Sequence, residues 1–341
     1  MRRIKVRVRH GYEVMVGKDL LKDCGKYINL TDTRISRIFL VSETNVAPLF
    51  LDKTVDSLKR AGYEVVTYIF EAGEQSKNLD EVAKMLGILA ENRFTRTDAV
   101  VALGGGVTTD MAGFVASIFL RGIKVFQIPT TLLAQVDASV GGKTGVDLKE
   151  GKNLVGAFHQ PSLVICDCDL LSTLNDTVFS EGMGEVIKYA FISDRKLYEK
   201  LKTRLTKTSD KLEDIVARCV ELKADVVEKD ELDNGLRQTL NFGHTIGHVI
   251  ECKSNYTVPH GFAVAKGMAL ISRKSPVYND LVEMLKLYEL PYEDDITADE
   301  ILDGILNDKK KRGSKITVAI VNEIGKCDLE TIEATELTRY L

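Results

Sequence analysis

The chain has 341 residues, of which 44% are hydrophobic and 28% are charged, and its formal net charge is −4. A chain of this length exceeds one ordinary hydrophobic core and predicts two domains. The slightly acidic balance argues against bulk attraction to nucleic acid or to an anionic membrane. No apolar run reaches the roughly eighteen residues of a membrane span, and we expect no signal peptide, because the charged start leads into no apolar segment.

Six cysteines are scattered at positions 24, 166, 168, 219, 252 and 327, and no two of them form a CxxC pair. This distribution favours reduced thiols over a disulfide framework. We therefore expect a cytoplasmic protein. Cys166 and Cys168 follow a β-branched run, which predicts the end of a strand.

The first half of the chain alternates patterns typical of strands and helices. Basic residues alternate with apolar ones over residues 4–9, which predicts a strand with one solvated face, paired with residues 13–16 in a hairpin. The elements predicted after it are strand 38–41, helix 49–61, strand 65–70, helix 79–92, strand 99–103 and strand 125–128. Apolar strands separated by helices indicate an α/β domain with a Rossmann-like, mostly parallel sheet.

The second half is mainly helical. The predicted helices are 177–192, 195–203, 211–229, 237–251, 262–273, 278–289 and 298–308, followed by a late strand at 316–321. We place the domain boundary where the sheet pattern stops, with domains 1–172 and 173–341, and Asn175 or Asp176 can cap the first helix of the second domain.

Strand 99–103 runs into the glycines 104–106, and an apolar helix over 111–120 follows. Glycines let the backbone approach a phosphate closely, and a helix N-terminus favours anions, although tight turns also use glycine. The pattern favours a nucleotide phosphate without being the Rossmann fingerprint, since no acidic residue ends a strand about 20 residues later. Glu43 could instead accept the ribose hydroxyls, or it is a solvated loop acid.

Two loops carry lysines flanked by glycines, at residues 137–145 and 151–153. Their place at the edge of a sheet that already has a phosphate-binding turn predicts a second anion site. Lys143 resembles the lysine of an ATP-binding P-loop, but that motif needs a glycine where this chain has Asp137. An ATP site is therefore disfavoured.

Three of the five histidines, His244, His248 and His260, lie within seventeen residues. His244 and His248 stand four apart in an apolar run that predicts a helix, so their rings share one face. A polar stretch at 253–255 could turn the chain and bring His260 to the same place. Imidazoles are common zinc ligands, and a carboxylate or thiolate would complete the set, with Cys252 the local candidate. The alternative is two core histidines and one in a loop.

Lys223 lies inside the apolar stripe of the predicted helix 211–229, where a lysine is costly unless it is paired or functional. The alternative is a stem on the apolar face with its amine in water. Glu185 and Lys188 stand three apart on one helix face. Arg237 is predicted to open the helix that carries the histidines, with Asn241 on its face.

Together these segments resemble the 3-dehydroquinate synthase family. The residues that carry the resemblance are Gly104–Val107 with Asp110, Asp137–Gly145, Gly151–Phe158, Glu185–Lys188 and Gly243–His248. Their order and spacing match over about residues 40 to 315. The resemblance implies an NAD-binding α/β domain, a helical C-terminal domain, an active site in the cleft between them, and a homodimer.

The resemblance also assigns roles to residues. One divalent metal, zinc or cobalt, would bind Glu185, His244 and His260, and His248 would be an acid/base or substrate-binding residue. The cofactor positions would be Glu43, Asn45, Glu74, Lys77, Gly105, Gly106, Val107, Thr108, Thr109, Asp110, Thr130, Thr131, Lys143, Lys152 and Thr173.

The substrate of that family is a sugar phosphate with a carboxylate. Its matching positions here are Asp137, Lys143, Lys152, Asn153, Lys188, Lys223, Arg237 and Asn241. Arg121 matches an arginine that reaches into the neighbouring subunit's site, and Lys309 or Lys310 matches a lysine near the carboxylate. The implied reaction converts 3-deoxy-D-arabino-heptulosonate 7-phosphate to 3-dehydroquinate and phosphate, with NAD recycled in each turnover.

The chain departs from the family pattern at Glu43, Thr109, Asp233 and Phe262. Phe262 matters most, because a polar group beside the metal ligand His260 would be lost. The alternatives are another sugar-phosphate cyclase, a metal-dependent polyol dehydrogenase of similar fold, or a non-enzymatic ligand-binding protein. The many lysines and the carboxylate-binding positions favour the conversion of the heptulosonate phosphate to 3-dehydroquinate over these three alternatives.

Overall fold

The structure is a computed structural model that describes residues 1–309 and 315–341. Its chain divides into two compact units, Met1–Leu174 with Asp210–Glu228, and Asn175–Ser209 with Lys229–Leu341. The first unit therefore includes a segment that lies beyond the predicted boundary at residue 172. The two-domain assignment 1–172 and 173–341 stays a prediction.

The first unit is built on a seven-stranded sheet with the order β1-β2-β9-β6-β5-β3-β4. Only β1 runs antiparallel to its neighbour, which confirms the mostly parallel α/β sheet. A separate hairpin pairs β7 with β8. The strands are β1 (Arg2–Val6), β2 (Tyr12–Gly17), β3 (Arg37–Glu43), β4 (Glu64–Phe70), β5 (Ala99–Gly104), β6 (Lys124–Pro129), β7 (Lys143–Leu148), β8 (Gly151–Phe158) and β9 (Leu163–Asp167).

Helices cover both faces of this sheet because successive strand residues point to opposite sides. Leu40 and Val101 pack in one apolar cluster with Ile28 and Leu58. Their neighbours in the strands, including Val100, pack on the other face in a second cluster. The helices of the first unit are α1 (Cys24–Thr31), α2 (Ala47–Arg60), α3 (Leu79–Glu91), α4 (Gly106–Ile118) and, from the second half of the chain, α7 (Leu212–Lys229).

The second unit is mainly helical, as predicted, and ends in a two-stranded sheet. The Asn175 side chain accepts a hydrogen bond from the backbone N–H of Val178 at 2.8 Å, which confirms the predicted cap. Its elements are α5 (Asp176–Ser193), α6 (Arg195–Leu201), α8 (His244–Lys253), α9 (His260–Ile271), α10 (Tyr278–Leu287), α11 (Ala298–Lys309), β10 (Lys315–Glu323) and β11 (Lys326–Glu333).

The prediction of one helix over 237–251 is wrong. Residues Leu236–Asn241 form a short 3-10 helix, and α8 begins only at His244. Gly243 separates them with a left-handed φ of 80°. Arg237 and Asn241 therefore do not lie on the histidine helix.

Other segments differ in their bounds. The helix predicted over 111–120 begins at Gly106, and the helix predicted over 262–273 begins at His260. The hairpin β7–β8 and the strand β11 have no counterpart among the predicted elements. Along the described residues, every helix is too short or too polar to cross a bilayer.

Candidate metal, nucleotide and anion sites

Close helix packing in the second unit brings three predicted metal ligands together. A Cβ on Gly261 of α9 would lie 2.1 Å from the carbonyl oxygen of Glu181 in α5. A Cβ on Gly267 would lie 2.0 Å from the carbonyl oxygen of Gly243, directly before α8. Because only glycine fits at these two crossings, α5, α8 and α9 approach closely enough for their side chains to meet.

Glu185 of α5, His244 of α8 and His260 of α9 form the cluster. Oε1 of Glu185 lies 3.5 Å from Nε2 of His244 and 3.7 Å from Nε2 of His260. Glu185 is 1% exposed, and its Oε1 accepts no hydrogen bond from the residues that the structure describes. Two imidazoles and a buried, unsatisfied carboxylate oxygen fit a zinc-type ion, whose catalytic sites use three protein ligands.

A hydrogen bond of the His244 ring orients it toward this cluster. Its Nδ1 donates to the carbonyl oxygen of Phe242 at 3.2 Å, which leaves the lone pair of Nε2 facing Glu185. Burial, and then the nearby charge of Lys188, hold the pKa of His244 well below its usual value. The ring is therefore neutral, which is the form that binds a metal.

Lys188 is 1% exposed and pairs with Oε2 of Glu185 one turn away on α5. This ion pair offsets the burial of both charges and leaves Oε1 to face the histidines. Lys188, predicted as a substrate-binding residue, therefore lies beside the predicted metal ligand Glu185.

His248 lies one turn after His244 on α8, and the centroids of their rings are 5.6 Å apart. Its side chain is exposed. The ligand atoms of His248, Glu251 and His260 form a second group within 4.8 Å of one another. Cys252 is exposed and belongs to neither group found among the described residues, so the local thiolate alternative has no support.

Glu251 is a residue that the sequence interpretation missed. It is 1% exposed, and its Oε2 lies 3.3 Å from Nδ1 of His260. The spacing contained a signal, because positions 244, 248 and 251 share one helix face. Burial alone lowers the pKa of His260, but the hydrogen bond and charge of Glu251, with the charges of Glu185 and Glu181, raise it overall.

In the first unit, β5 ends at Gly104 and α4 begins at Gly106, so the predicted glycine turn leads directly into a helix N-terminus. The N–H of Thr130, after β6, donates to the carbonyl of Gly104 at 2.9 Å and holds the two loops side by side. The buried hydroxyls of Thr108 and Thr130 have no hydrogen-bond partner within the described ranges. Free helix amides and unsatisfied hydroxyls fit a nucleotide phosphate.

A charged cluster of predicted site residues also lies in the first unit. Nζ of the buried Lys77 donates to Oδ2 of Asp110 and to Oδ1 of Asn153, both at 2.7 Å. Oε1 of Glu74 lies 3.9 Å from Nζ of Lys77 and 3.5 Å from Nζ of Lys152. Burial opposes the charge on Lys77, but Asp110 and Glu74 outweigh it and raise the pKa of Lys77, so the ammonium remains charged.

Asp147 was not predicted as a site residue, yet it fixes part of this cluster. Its Oδ1 accepts the backbone N–H of Asn153 at 2.7 Å, and its own N–H donates to the carbonyl of Lys77 at 2.9 Å. Asn153 has a left-handed φ of 55°, which this hydrogen bond helps to hold.

Lys223 of α7 is 5% exposed, and its Nζ contacts Asp137 twice. It lies 2.9 Å from Oδ1 and donates to the carbonyl oxygen at 2.6 Å. Asp137 sits on a π-helical turn, Ala134–Ala138, just after the nucleotide loops. The alternative in which the amine of Lys223 lies in water is therefore wrong, and the lysine is paired.

The remaining predicted positions have the following places in the structure. Arg237 is buried, and its Nη1 donates to the carbonyl of Glu231 at 2.7 Å. The carboxylate of Glu43, at the end of β3, accepts the N–H of Asn45 at 2.7 Å, and Thr173 donates to the carbonyl of Leu170 at 2.8 Å. Val107 and Thr109 lie in the first turn of α4, and Thr131 lies beside Thr130. The side chains of Lys143 and Arg121 are exposed, and that of Asn241 is half-buried. Lys310 lies outside the described residues.

Phe262, which follows the predicted metal ligand His260 and Gly261, offers no polar side-chain group to the metal cluster. Its N–H donates to the carbonyl of Pro259 at 3.0 Å in the first turn of α9. Its ring lines a surface pocket with Pro259, Lys266 and Leu290. A carboxylate beside His260 is nevertheless present, because Glu251 supplies one from α8.

Comparison with known proteins gives one consistent family. Residues 67–181 match the model of the 3-dehydroquinate synthase N-terminal region, and residues 182–311 match that of its C-terminal region. The chain is 43% identical to the 3-dehydroquinate synthase of Lactococcus lactis subsp. cremoris over 97% of each chain.

Two solved structures have the same fold. The 2-epi-5-epi-valiolone synthase ValA from Streptomyces hygroscopicus subsp. jinggangensis, with NAD+ and Zn2+ bound, has a TM-score of 0.87 at 24% identity, over 99% of this chain and 98% of that one. The 2-deoxy-scyllo-inosose synthase complexed with carbaglucose-6-phosphate, NAD+ and Co2+ has a TM-score of 0.85 at 23% identity, over 99% of both chains.

Proposed function

The chain belongs to the 3-dehydroquinate synthase family, and we propose that it converts 3-deoxy-D-arabino-heptulosonate 7-phosphate to 3-dehydroquinate and phosphate. It would thus act as a phosphorus–oxygen lyase in the shikimate pathway, an early part of aromatic amino-acid biosynthesis. The observation that carries the proposal is the unsatisfied Oε1 of Glu185 between the Nε2 atoms of His244 and His260. The buried lysines add the cations that a phosphorylated, carboxylated substrate requires.

Glu185, His244 and His260 would hold one divalent ion, zinc or cobalt, while the loops around Gly105–Asp110 and Thr130–Thr131 would bind NAD. When bound, such an ion would lower the pKa of a substrate hydroxyl, and NAD would serve as the acceptor of a hydride that is later returned. The ketone formed makes the neighbouring C–H acidic, so the substrate can lose phosphate by β-elimination and close its ring by an aldol step.

The protein's own side chains would mainly bind and orient the substrate. Lys188 pairs with Oε2 of Glu185, and the Lys223–Asp137 pair presents a fixed ammonium and carboxylate. Lys152 and Arg237 would complete the binding of the anionic groups. The exposed ring of His248, near both histidine ligands, is suited to moving a proton at the substrate.

We further propose that the enzyme is a cytoplasmic homodimer in which Arg121 enters the neighbouring subunit's site. Arg121 is exposed and follows Leu120, and both have left-handed φ angles, 68° and 49°. Two such residues in succession are strained, and such strain concentrates at functional sites. Ile118 and Leu120, each 41% exposed, are apolar side chains that a partner could cover. Sedimentation equilibrium should give twice the mass of the chain.

The test of the reaction follows phosphate and NADH in the same sample. Enzyme, Zn2+ and a catalytic amount of NAD+ are mixed with excess heptulosonate phosphate. The proposal expects one phosphate released per substrate, while NADH absorbance stays within the amount bound to the enzyme. A dehydrogenase would instead convert all of the supplied NAD+ to NADH, release no phosphate and then stop. Phosphate release from a sugar phosphate without the carboxylate, and none from the heptulosonate, would indicate a different cyclase.

A further inference from the structure

Glu251 is a buried carboxylate beside the histidine cluster that the proposed reaction does not use. It lies near the end of α8, and its backbone carbonyl accepts hydrogen bonds from Tyr256 N–H at 2.8 Å and Ser254 Oγ at 2.9 Å. These contacts fix its main chain where the helix ends. Its side chain is directed to Nδ1 of His260, with Oε2 at 3.3 Å.

We propose that Glu251 is a positioning residue that holds the ring of His260 with Nε2 toward Glu185 and thereby strengthens metal binding. The inference rests on the metal site of the proposed function. A carboxylate can only accept a hydrogen bond, so its partner Nδ1 carries the proton. The lone pair of the neutral ring is then on Nε2, the atom 3.7 Å from Oε1 of Glu185.

The two histidines of the cluster are held by different acceptors. Nδ1 of His244 donates to a backbone carbonyl, whereas Nδ1 of His260 faces a carboxylate. A carboxylate partner makes the imidazole a stronger ligand than a neutral partner does, and losing such a partner typically weakens metal binding by about 10–100-fold. Glu251 should therefore set the affinity of the site as well as the orientation of the ring.

Glu251 could instead be a direct ligand, since its oxygen also groups with His248 and His260. The nitrogen of His260 that faces Glu251 is Nδ1, and that arrangement would leave Oε1 of Glu185 buried without a partner in the described chain. An unsatisfied buried carboxylate oxygen is costly. The geometry therefore favours Glu185 as the ligand and Glu251 as the residue behind the ring.

The experiment measures the zinc affinity of metal-free protein by competition with a chromophoric chelator, without substrate. Glu251→Ala should bind zinc about 10–100-fold more weakly than wild type. Glu251→Gln should be closer to wild type, because its amide oxygen still accepts the Nδ1 proton. The thermal midpoint of each metal-free variant shows whether it is folded, and His244→Ala provides the reference for loss of a direct ligand.

A matched control is Asp167→Asn in the other unit. Asp167 is also a buried carboxylate, and it accepts the N–H of Leu21 at 2.9 Å, far in sequence from the histidines. The zinc affinity of Asp167→Asn should equal that of wild type. Unchanged affinity in Glu251→Ala would overturn the inference, and so would a loss as complete as in His244→Ala. If Glu251→Ala binds zinc more weakly while the wild-type enzyme releases no phosphate, the result would contradict the proposed reaction and support the inference.

Discussion

Three lysines carry buried charge at points where the substrate or the cofactor is expected to bind. Lys77, Lys188 and Lys223 are each at most 5% exposed. Each ammonium has a carboxylate partner in its own unit, Asp110, Glu185 and Asp137 respectively. A buried charge is expensive without such a partner, so removing one member leaves the other uncompensated. The pairs are therefore expected to affect both stability and activity.

Replacing Lys223 tests this expectation. In Lys223→Ala, the carboxylate of Asp137 loses its ammonium partner. We expect kcat/KM to fall about 10–150-fold, which corresponds to a loss of roughly 1.5–3 kcal/mol of transition-state stabilisation. Lys229→Ala, at an exposed position of the same helix, is the matched control and should leave kcat/KM unchanged. Steady-state kinetics of both variants give the answer. Equal kcat/KM in Lys223→Ala and wild type would remove this lysine from the site.

Asp32 gives a prediction about pH. Arg34, with Nη2 at 2.8 Å from Oδ2, and then Lys124 hold the pKa of Asp32 well below its usual range. Because the pKa is lower in the folded state, this stabilisation is complete above the unfolded pKa of about 3.9 and is lost as pH falls below it. Asp32→Asn should therefore reduce the free energy of unfolding by about 1 kcal/mol at pH 7, after allowance for solvent screening around exposed Arg34.

Urea unfolding of wild type and Asp32→Asn at several pH values measures this effect. The difference between the two proteins should be largest at neutral pH and shrink below about pH 4, where the carboxylate of the unfolded wild-type chain is protonated first. A difference that grows with acidity would contradict the direction of the pKa shift.

At the scale of elements, two backbone crossings decide whether the metal cluster forms. Gly261→Ala would force a methyl group against the carbonyl of Glu181, so α5 and α9 must separate. We expect lower stability, by roughly 1–3 kcal/mol as for other overpacked sites, together with weaker zinc binding. Gly87→Ala is the control, since a Cβ there meets nothing within 4 Å on the exposed face of α3. That change should stabilise the protein by about 0.4–1 kcal/mol.

Thermal unfolding and the chelator competition together read out both glycine variants. Weak zinc binding in Gly261→Ala with an unchanged thermal midpoint would support the role of this crossing in the cluster but contradict the expected loss of stability. Zinc affinity equal to wild type would show that the helices can hold the ligands without this close contact.

The periodic segments of the chain were predictable, and the irregular ones were not. Strand 99–103 and helix 79–92 were placed within one residue of β5 and α3. The strand is a short continuous apolar run, and apolar side chains recur three and four apart in the helix. The β7–β8 hairpin was missed because its glycines and lysines are typical of loops. Spacing also could not select Glu185, which lies on a different helix from the histidines, and that ligand came from the family resemblance.

At the scale of the molecule, the first unit is assembled from two separate stretches of sequence. The helix α7, predicted within the second domain, groups with the first unit instead. Arg2 and Arg7, in and after β1, pair with Asp214 and Glu228 of this helix. These two basic residues therefore have acidic partners rather than only solvent. Lys223, which pairs with Asp137, lies on the same helix.

This division predicts which segments each ligand stabilises. A ligand that binds only the folded state suppresses the local opening of the elements it contacts. Hydrogen exchange measured with Zn2+ alone should slow most in peptides from α5, α8 and α9, where Glu185, His244 and His260 lie. With NAD+ alone, exchange should slow most in peptides covering residues 104–110 and 129–131.

His244→Ala provides the internal control for the zinc result, because it removes one ligand from α8 while α5 and α9 keep theirs. In that variant, zinc should no longer slow exchange in any of the three helices, whereas the effect of NAD+ on residues 104–110 should persist. Excess chelator should reverse the protection in wild type. Protection by zinc centred on β9, which carries Cys166, would mean that the metal binds thiolates and that the Glu185–His244–His260 assignment is wrong.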